Sequence, residues 1–399
     1  MSDQDVVIVS VARTPFGRFE GVLRGLDGPA LGALAIDMAV QRSGIGANAV
    51  DAVYGGVGML SSAMLTPLRQ AVLSSGLPVT TPSAAIDRAC CSGMTAIGTG
   101  FKDIRLGEAT VAVCGGFESL SRTPLLWPRQ HAQRLGNVVV EDPLLIRGRV
   151  VDQPIAVYSG DEAVRRGVDR EQQDAWALES HQRYAKADAE GYFEFERFAV
   201  EAPNPKGEIT PVTKDESPRP DTTLAKLAKL KPVYGGKTVT AGNAPGLSDG
   251  AAFLVLCRRD FANAHGLAPI ARIVDYVQVC GGPTSGTSTP ATAIDRLAER
   301  SKCDVFGLDL IEINEAYAAT PLVSTLALAD GDITKADQLR KRTNVHGGAV
   351  ALGHPLGASG ARIVMTLING LRRRGGGRGV AAICGGFGQG DGLLIEVQE

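Results

Sequence analysis

The sequence predicts an α/β protein built from two pseudo-symmetric halves, with an unmatched segment inserted into the first. Three observations carry this reading. Short apolar runs that end in glycine, "AVYGGVGM", "VAVCGGFES" and "AAICGGFGQG", alternate with amphipathic stretches, the rhythm of strands and helices in turn. The tetrapeptide Cys-Gly-Gly-Phe closes such a run twice, at Cys114 and again at Cys384. Two further markers precede it in the same order in both halves: "TPLRQAVLSSG" from Thr66 echoes "TPLVSTLALADG" from Thr320, and Ser92-Gly93 echoes Ser359-Gly360. A single match is weak, but an ordered set of three reads as a repeat.

After Ser92-Gly93 the apolar residues fall at Met94, Ile97, Phe101 and Ile104; after Ser359-Gly360 they fall at Ile363, Val364, Leu367, Ile368 and Leu371. Both spacings are helical, so each half carries loop, helix and strand, with the Ser-Gly pair at the helix start. Between the copies lie the charged helix "DREQQDAWALESHQRYAKADAEG", the Pro-rich "EAPNPKGEITPVTKDESPRPDTT" and the basic "LAKLAKLKP". None has a counterpart in the second copy. The chain therefore divides into a first half, 1–119 with 250–270, an inserted loop domain, 120–249, and a second half, 271–399. Lys214, Arg219, Lys226, Lys229 and Lys231 form the strongest local cluster for an anion, although a solvated helical face is the commoner meaning of such charge runs.

At 399 residues the chain exceeds one simple core, and two or three domains are expected. Lys+Arg 41 against Asp+Glu 43 leaves a net charge of −2, which argues against nucleic acid or an anionic membrane as the main partner. The opening "MSDQDVVIVSVARTP" lacks the succession of a signal peptide, and no apolar run approaches the ~18–20 residues that span a bilayer. The chain reads as cytoplasmic, without membrane insertion. Seven cysteines, an odd number scattered from Cys90 to Cys384, make no disulfide framework and read as reduced thiols.

Superposing the copies on their Ser-Gly pairs sets His354 opposite Asp87 and Gly357 opposite Cys90, on corresponding loops that enter the two helices. A pseudo-twofold would bring Cys90, His354 and Cys384 to one central place. A free thiol with a pKa of about 8.5 is only a few per cent thiolate at neutral pH, so a nucleophilic Cys needs a lowered pKa or a base. Cys90 and Cys91 stand just before a helix N-terminus, where unpaired N–H groups favour negative charge. Taken alone, each cysteine reads as a buried small hydrophobe, and Cys257, Cys280 and Cys303 stay in that class.

His354 lies in "GGAVALGHPLGASG", a glycine-rich turn stiffened by Pro355; this sets it apart from His131, His181 and His265, which read as satisfied polar groups. Asn314-Glu315 in "IEINEAYAA" precedes a helix, either as a cap or, in the sharper reading, as the holder of a water in a catalytic pocket. Metal binding is disfavoured because no C-x-x-C, H-x-x-H or H-E-x-x-H occurs. "GGFGQGDG" lacks the dinucleotide spacing. "GLSDG" at Gly246 to Gly250 fits the elbow of serine hydrolases, yet the strand-like "AAFLVLCRR" follows where that elbow needs a helix.

At these residues the chain resembles the thiolases, enzymes that join or split acyl groups at a coenzyme A thioester. The likeness covers essentially the whole chain and rests on "RTPFGRF", "CCSGM", "GGFESLSRTP", "REQQDAWALESHQR", "TVTAGNAPGLSDGAA", "NEAYA", "NVHGGAVALGHPLGASGARI" and "CGGFGQG". It implies two similar halves stacked as five layers αβαβα, with a loop domain inserted in the first. It implies Cys90 as the nucleophile, His354 as its activator, Cys384 as the group that exchanges a proton with the substrate carbon, and Asn314 as holder of a water in one oxyanion hole with His354. The backbone N–H groups of Cys90 and Gly386 would form the other hole, and Arg219 aligns with an arginine that contacts CoA. Reversible Claisen condensation and thiolytic cleavage of 3-oxoacyl-CoA through an acyl-cysteine follow, with CoA and acyl-CoA as substrates, no tightly bound cofactor, and a homodimer or homotetramer as the assembly.

Two departures from the family pattern touch specificity. "IAVYSGDEA" lacks the His-Met-Gly of acetoacetyl-CoA-forming members, and Pro245 stands where the "AGNAS" motif has its pantetheine-contacting Ser. Two rival readings stay open at this point: a thioester hydrolase using Ser248, and a non-catalytic acyl-CoA carrier on the same scaffold.

Overall fold

The duplication shows first in the order of the strands. The structure, a computed structural model, describes residues 3–59, 65–127, 137–145, 148–204 and 206–398. The first half runs through β1 (Val6–Arg13), β2 (Gly17–Arg18), α1 (Gly28–Ser43), β3 (Ala52–Gly56), α2 (Pro67–Ser74), β4 (Ser83–Ile86), α3 (Ser92–Leu106) and β5 (Val111–Ser119). Then come α4 (Ile155–Arg165), α5 (Arg170–Ala189), a hairpin of β6 (Val200–Pro203) and β7 (Ile209–Val212), and α6 (Leu224–Leu227). The chain returns through β8 (Ser248–Arg258) and α7 (Arg259–Ala264). The second half follows as β9 (Ala271–Cys280), α8 (Thr289–Ser301), β10 (Leu310–Ile313), α9 (Ala319–Leu328), α10 (Ile333–Arg340), α11 (Ala349–Leu352), α12 (Leu356–Arg373), β11 (Gly377–Gly385) and β12 (Gln389–Val397).

The strands line up as β4-β3-β5-β8-β1-β9-β12-β11-β10, with β2 beside β8. Outward from the β1/β9 join, both sides repeat the same relations. β1–β8 and β9–β12 are antiparallel, β8–β5 and β12–β11 are antiparallel, and β5–β3 and β11–β10 are parallel. The two Cys-Gly-Gly-Phe strands, β5 and β11, therefore hold equivalent places. The join itself is thin: Val7 and Ile8 pair with Arg272 and Ala271.

Side chains alternate across each strand, and the alternation builds the layers. Val111 and Val113 of β5 face an outer core with Leu31, Ile36 and Leu68 of α1 and α2. On the far side, Val380 and Ala382 of β11 face Ile294, Leu297 and Leu339 of α8 and α10. The intervening residues, Ala112 and Cys114 of β5, and Ala381 and Ile383 of β11, turn inward onto one shared core. That core is filled by Met94, Ile97 and Phe101 of α3 and by Ile363, Val364 and Leu367 of α12. The result is the five-layer αβαβα stack.

Every residue of α12 from Leu356 to Leu371 is buried, as expected of a helix enclosed on all sides. It begins at Leu356, one turn before Ser359-Gly360, whereas α3 begins at Ser92 itself. The expected Ser-Gly helix start therefore holds in the first half and is corrected in the second, because Pro355 already supplies the N-cap. The two Ser-Gly pairs are where these helices touch. A Cβ on Gly93 would lie 2.3 Å from the Gly357 carbonyl oxygen, and one on Gly360 would lie 2.4 Å from the Met94 nitrogen. Only a residue without a side chain allows backbones so close.

The inserted segment is pinned to both halves by buried polar groups. Arg13, at the end of β1, meets Glu196 at 2.6 Å and Asp215 at 2.7 Å, all three fully enclosed at the side chain. Glu315 accepts from Trp176 Nε1 at 2.8 Å, Ser180 Oγ at 2.8 Å and Val350 N at 3.0 Å. The charged helix α5, opened by a capping box at Asp169, thus buries Trp176, Ala177 and Tyr184 and is more than a solvated face.

Gly93→Ala and Gly360→Ala should each lower unfolding free energy by about 1–3 kcal/mol in urea titrations. Gly46→Ala, where nothing lies within 4 Å of the added carbon, serves as the neutral control. A Gly360→Ala protein as stable as that control would contradict the close contact.

Candidate active site

Cys90 sits in the tight connection from β4 to α3. Its neighbour Ala89 has φ 51, a left-handed backbone unusual for a residue with a side chain. Two features hold this turn. Ser92 Oγ accepts from Arg88 N at 2.8 Å and donates to Ala89 O at 2.5 Å. Arg88 then reaches into the other half, donating to Gln389 Oε1 at 3.0 Å and pairing with Asp391 of β12. Asp391 is held in turn by Thr95 Oγ1 at 2.5 Å and Tyr276 Oη at 2.7 Å. The clasp lies beside β11, whose Cys384 is in register with Gly390 of β12.

Cys90 and Cys384 consequently line one pocket of about 30 Å³, together with Tyr158, Tyr317, Gly386 and Phe387. One sulfur comes from each half. Gly386 opens the turn after β11, in which Phe387 takes a left-handed backbone with φ 61. Cys91, next to the nucleophile candidate, points away: it is buried, with its Sγ 3.5 Å from the Ile383 carbonyl.

His354 lies between α11 and α12, after Gly353 with φ 105. Its backbone N–H donates to Ser248 Oγ at 3.1 Å, and Ser248 donates to Gly246 O at 2.7 Å. Ser248, buried at the start of β8 with a strand after it, thus supports the histidine turn and has no elbow around it. The ring Nδ1 is 2.6 Å from Ser359 Oγ. Nε2 is buried and has no hydrogen-bond partner among the described residues, and the same is true of Asn314 Nδ2. Both groups neighbour Arg362, which contacts Asn314 Oδ1 at 3.4 Å and depresses the His354 titration. His354 does not line the two-cysteine pocket itself. Its loop meets the Cys90 turn nearby: Leu356 Cβ and Ala89 O both lie against Gly58.

Asn314 does not cap a helix; α9 starts later, with Ala318 at its N-cap. The asparagine is fully buried in the loop after β10, where its N–H donates to Ala382 O at 2.9 Å.

Electrostatics set burial against the helix start. The start of α3 was to favour a Cys90 thiolate, but burial, reinforced by Cys384, pushes the Cys90 thiol well above its ordinary value. Burial and then the Glu162 carboxylate push Cys384 up to about 12. Burial, helped by Arg362, pushes His354 down to about 3. Desolvation is the largest cause in all three, and it favours the uncharged thiols and the uncharged imidazole in the unliganded site.

Arg219 lies apart, in a cleft of about 570 Å³ with Arg18, Lys226 and His181. Ser217, also in its wall, sits 3.3 Å from where a Gly353 Cβ would be, so the cleft runs up to the residue before His354. Of the five cations expected to cluster, only Arg219 and Lys226 face this cleft; Lys214 lines a different one. His181 accepts from Arg219 N at 3.2 Å, His265 Nδ1 is 2.9 Å from Phe261 O, and His131 lies outside the described residues. Cys257 is buried as expected, Cys303 only partly, and Cys280 is exposed, contrary to its assignment as a packed apolar group.

Sequence reasoning missed Arg88, Asp391 and Glu118. Glu118 accepts from Gly58 N at 2.9 Å and Gly357 N at 3.2 Å, tying the end of β5 to the start of α12. Burial lifts its carboxyl up to about 8 although those N–H groups favour the anion. The one signal in the sequence was a charged residue inside an otherwise apolar strand.

Comparison with known proteins identifies the family. The family model for the thiolase N-terminal domain matches residues 6–260, and that for the thiolase C-terminal domain matches residues 267–397. Beta-ketoadipyl-CoA thiolase of Pseudomonas aeruginosa is 39% identical over 405 residues, covering 98% of this chain and 99% of that protein. The crystal structure of the Bacillus anthracis acetyl-CoA acetyltransferase superposes with a TM-score of 0.93 at 36% identity, covering 98% of both chains. Human mitochondrial 3-ketoacyl-CoA thiolase in complex with CoA superposes with a TM-score of 0.92 at 35% identity, covering 100% of this chain and 99% of that one. With two matched halves and relatives alike from end to end, the chain belongs to the thiolase family, acyltransferases that condense or thiolytically cleave acyl groups at a coenzyme A thioester.

Proposed function

We propose that Cys90 carries the acyl group and that the two halves supply complementary proton carriers, His354 and Cys384. The observation that supports this most is one pocket holding a sulfur from each half. In the proposed cycle Cys90 Sγ attacks the thioester carbonyl while its proton passes to His354 Nε2. CoA leaves as a thiol, taking its proton from Cys384. The Cys384 thiolate then removes the α-proton of a second acyl-CoA, and the resulting carbanion attacks the acyl-Cys90 carbonyl. Cys90 departs and recovers its proton from His354, releasing 3-oxoacyl-CoA; thiolysis is the reverse. The high Cys384 value suits this role, since a less acidic thiol gives a stronger base toward a weakly acidic C–H.

Two oxyanions need fixed donors. His354 Nε2, once protonated, and a water on Asn314 Nδ2 serve one, which accounts for two buried polar atoms left without partners. The N–H groups of Cys90 and Gly386 serve the other. We assign the cleft between Arg18 of the first half and Arg219 and Lys226 of the inserted domain to the phosphates of CoA, with the inserted domain at 120–249 and the halves at 1–119 with 250–270 and at 271–399. The room beside the sulfurs is walled by Ile155, Tyr158 and Phe387, which would bound the acyl group transferred. A homodimer or homotetramer is supported by exposed Leu125, Trp127 and Val139 near the Leu126–Glu141 backbone pairing. Seven free cysteines fit the reducing cytoplasm.

Acetyl-CoA should add one acetyl group to Cys90 in a burst seen by intact mass, and Cys90→Ala should cut turnover at least about a thousandfold. Cys384→Ala should keep that acylation, since CoA is a fair leaving group unaided, but lose deuterium exchange at the α-carbon. Surviving exchange would remove Cys384 from its role. Because burial raises the Cys90 thiol, its alkylation by iodoacetamide, followed by peptide mass, should climb with pH through about pH 9 without an acidic plateau. A plateau from about pH 5 would reveal a preformed thiolate–imidazolium pair instead.

A further inference from the structure

The two Ser-Gly serines have diverged. Ser92 closes the Cys90 turn through Arg88 N and Ala89 O. Its counterpart Ser359 serves the imidazole: its Oγ lies 2.6 Å from His354 Nδ1 and 2.9 Å from the Pro355 carbonyl oxygen, and the residue is fully buried. A hydroxyl has one proton, and a carbonyl oxygen only accepts. With the serine proton on Pro355 O, the contact to the ring is made by a ring N–H. Nδ1 then carries the hydrogen and Nε2 keeps a bare lone pair. That agrees with Nε2 having no partner among the described residues.

We propose that Ser359 is a positioning residue that holds His354 in the Nδ1–H tautomer, so that Nε2 is the acceptor for the Cys90 proton. The inference rests on His354 being the base of the cycle above. On attack the Cys90 S–H bond breaks, an N–H bond forms at Nε2, and sulfur bonds to the acyl carbon. The same Nε2, now a donor, can serve the oxyanion hole it shares with the Asn314 water. Base and oxyanion donor are one atom used twice, and the order of use is set by the tautomer at the start. In the opposite tautomer Nε2–H would have no lone pair to receive a proton.

The wild-type protein labelled with 15N-histidine, with the His354 signals assigned by their loss in His354→Ala, reports the tautomer directly. The expected spectrum has a pyrrole-type Nδ1 and a pyridine-type Nε2 for His354; the reverse pattern overturns the inference. In Ser359→Ala the acylation burst should slow by about 10- to 100-fold, as for loss of a group that orients a histidine. KM for acetyl-CoA should stay within about twofold, because no substrate contact is removed. An unchanged burst rate in a folded Ser359→Ala protein overturns it. If His354→Ala keeps a full burst, the base assignment itself falls; if it abolishes the burst while Ser359→Ala does not slow it, only the role of Ser359 falls.

Discussion

The approach of two helices at glycine, Gly93 of α3 and Gly360 of α12, is the constraint on which the rest depends. Each half alone is a sheet with outer helices on one face and a single inner helix, α3 or α12, on the apolar other. Closing those faces onto each other requires the two inner helices to share one layer, and the thin β1/β9 join is too small to enforce it. Backbone contact at the Ser-Gly pairs sets how close the halves come. It thereby sets how near the loops that lead into α3 and α12, bearing Cys90 and His354, stand to one another. A methyl group at this crossing would move chemistry as well as packing.

Enclosure also decides the electrostatics. A helix start offers a partial positive charge worth at most a few kcal/mol, while a buried thiolate loses far more by leaving water. The site therefore rests uncharged and develops charge only as substrate bonds form, where fixed N–H donors meet it. Pairs of opposite charge then arise together, which limits the penalty in a medium of low dielectric. Fixed polar groups such as Glu118, Asp391 and Arg88 are held by hydrogen bonds and hold the geometry.

Much of this was legible in the residue order, because repeats and apolar spacing are local properties. The doubled Cys-Gly-Gly-Phe strands, the helices from Ser92 and around Ser359, and the inserted segment all follow from period and order. The pairing of Arg88 with Asp391, 303 positions apart, does not, since nothing local marks either residue as the other's partner. Asn314 looked like a cap because polar residues before helices usually are, but three more residues intervene before Ala318. The Cys90 environment was hidden for a similar reason: a sequence displays a helix start and hides how much water reaches it. Cys280 erred in the opposite direction, its apolar character saying nothing about its place at the end of β9, where it is exposed.

The clasp between Arg88 and β12 has a consequence for biosynthesis. Cys90 is translated early, whereas Gln389 and Asp391 belong to the last strand to be made. On the ribosome, the Cys90 turn has only its Ser92 bonds until β12 emerges and docks. A product truncated before Gln389 therefore carries Cys90 without the Arg88 tie that links its turn to the second half.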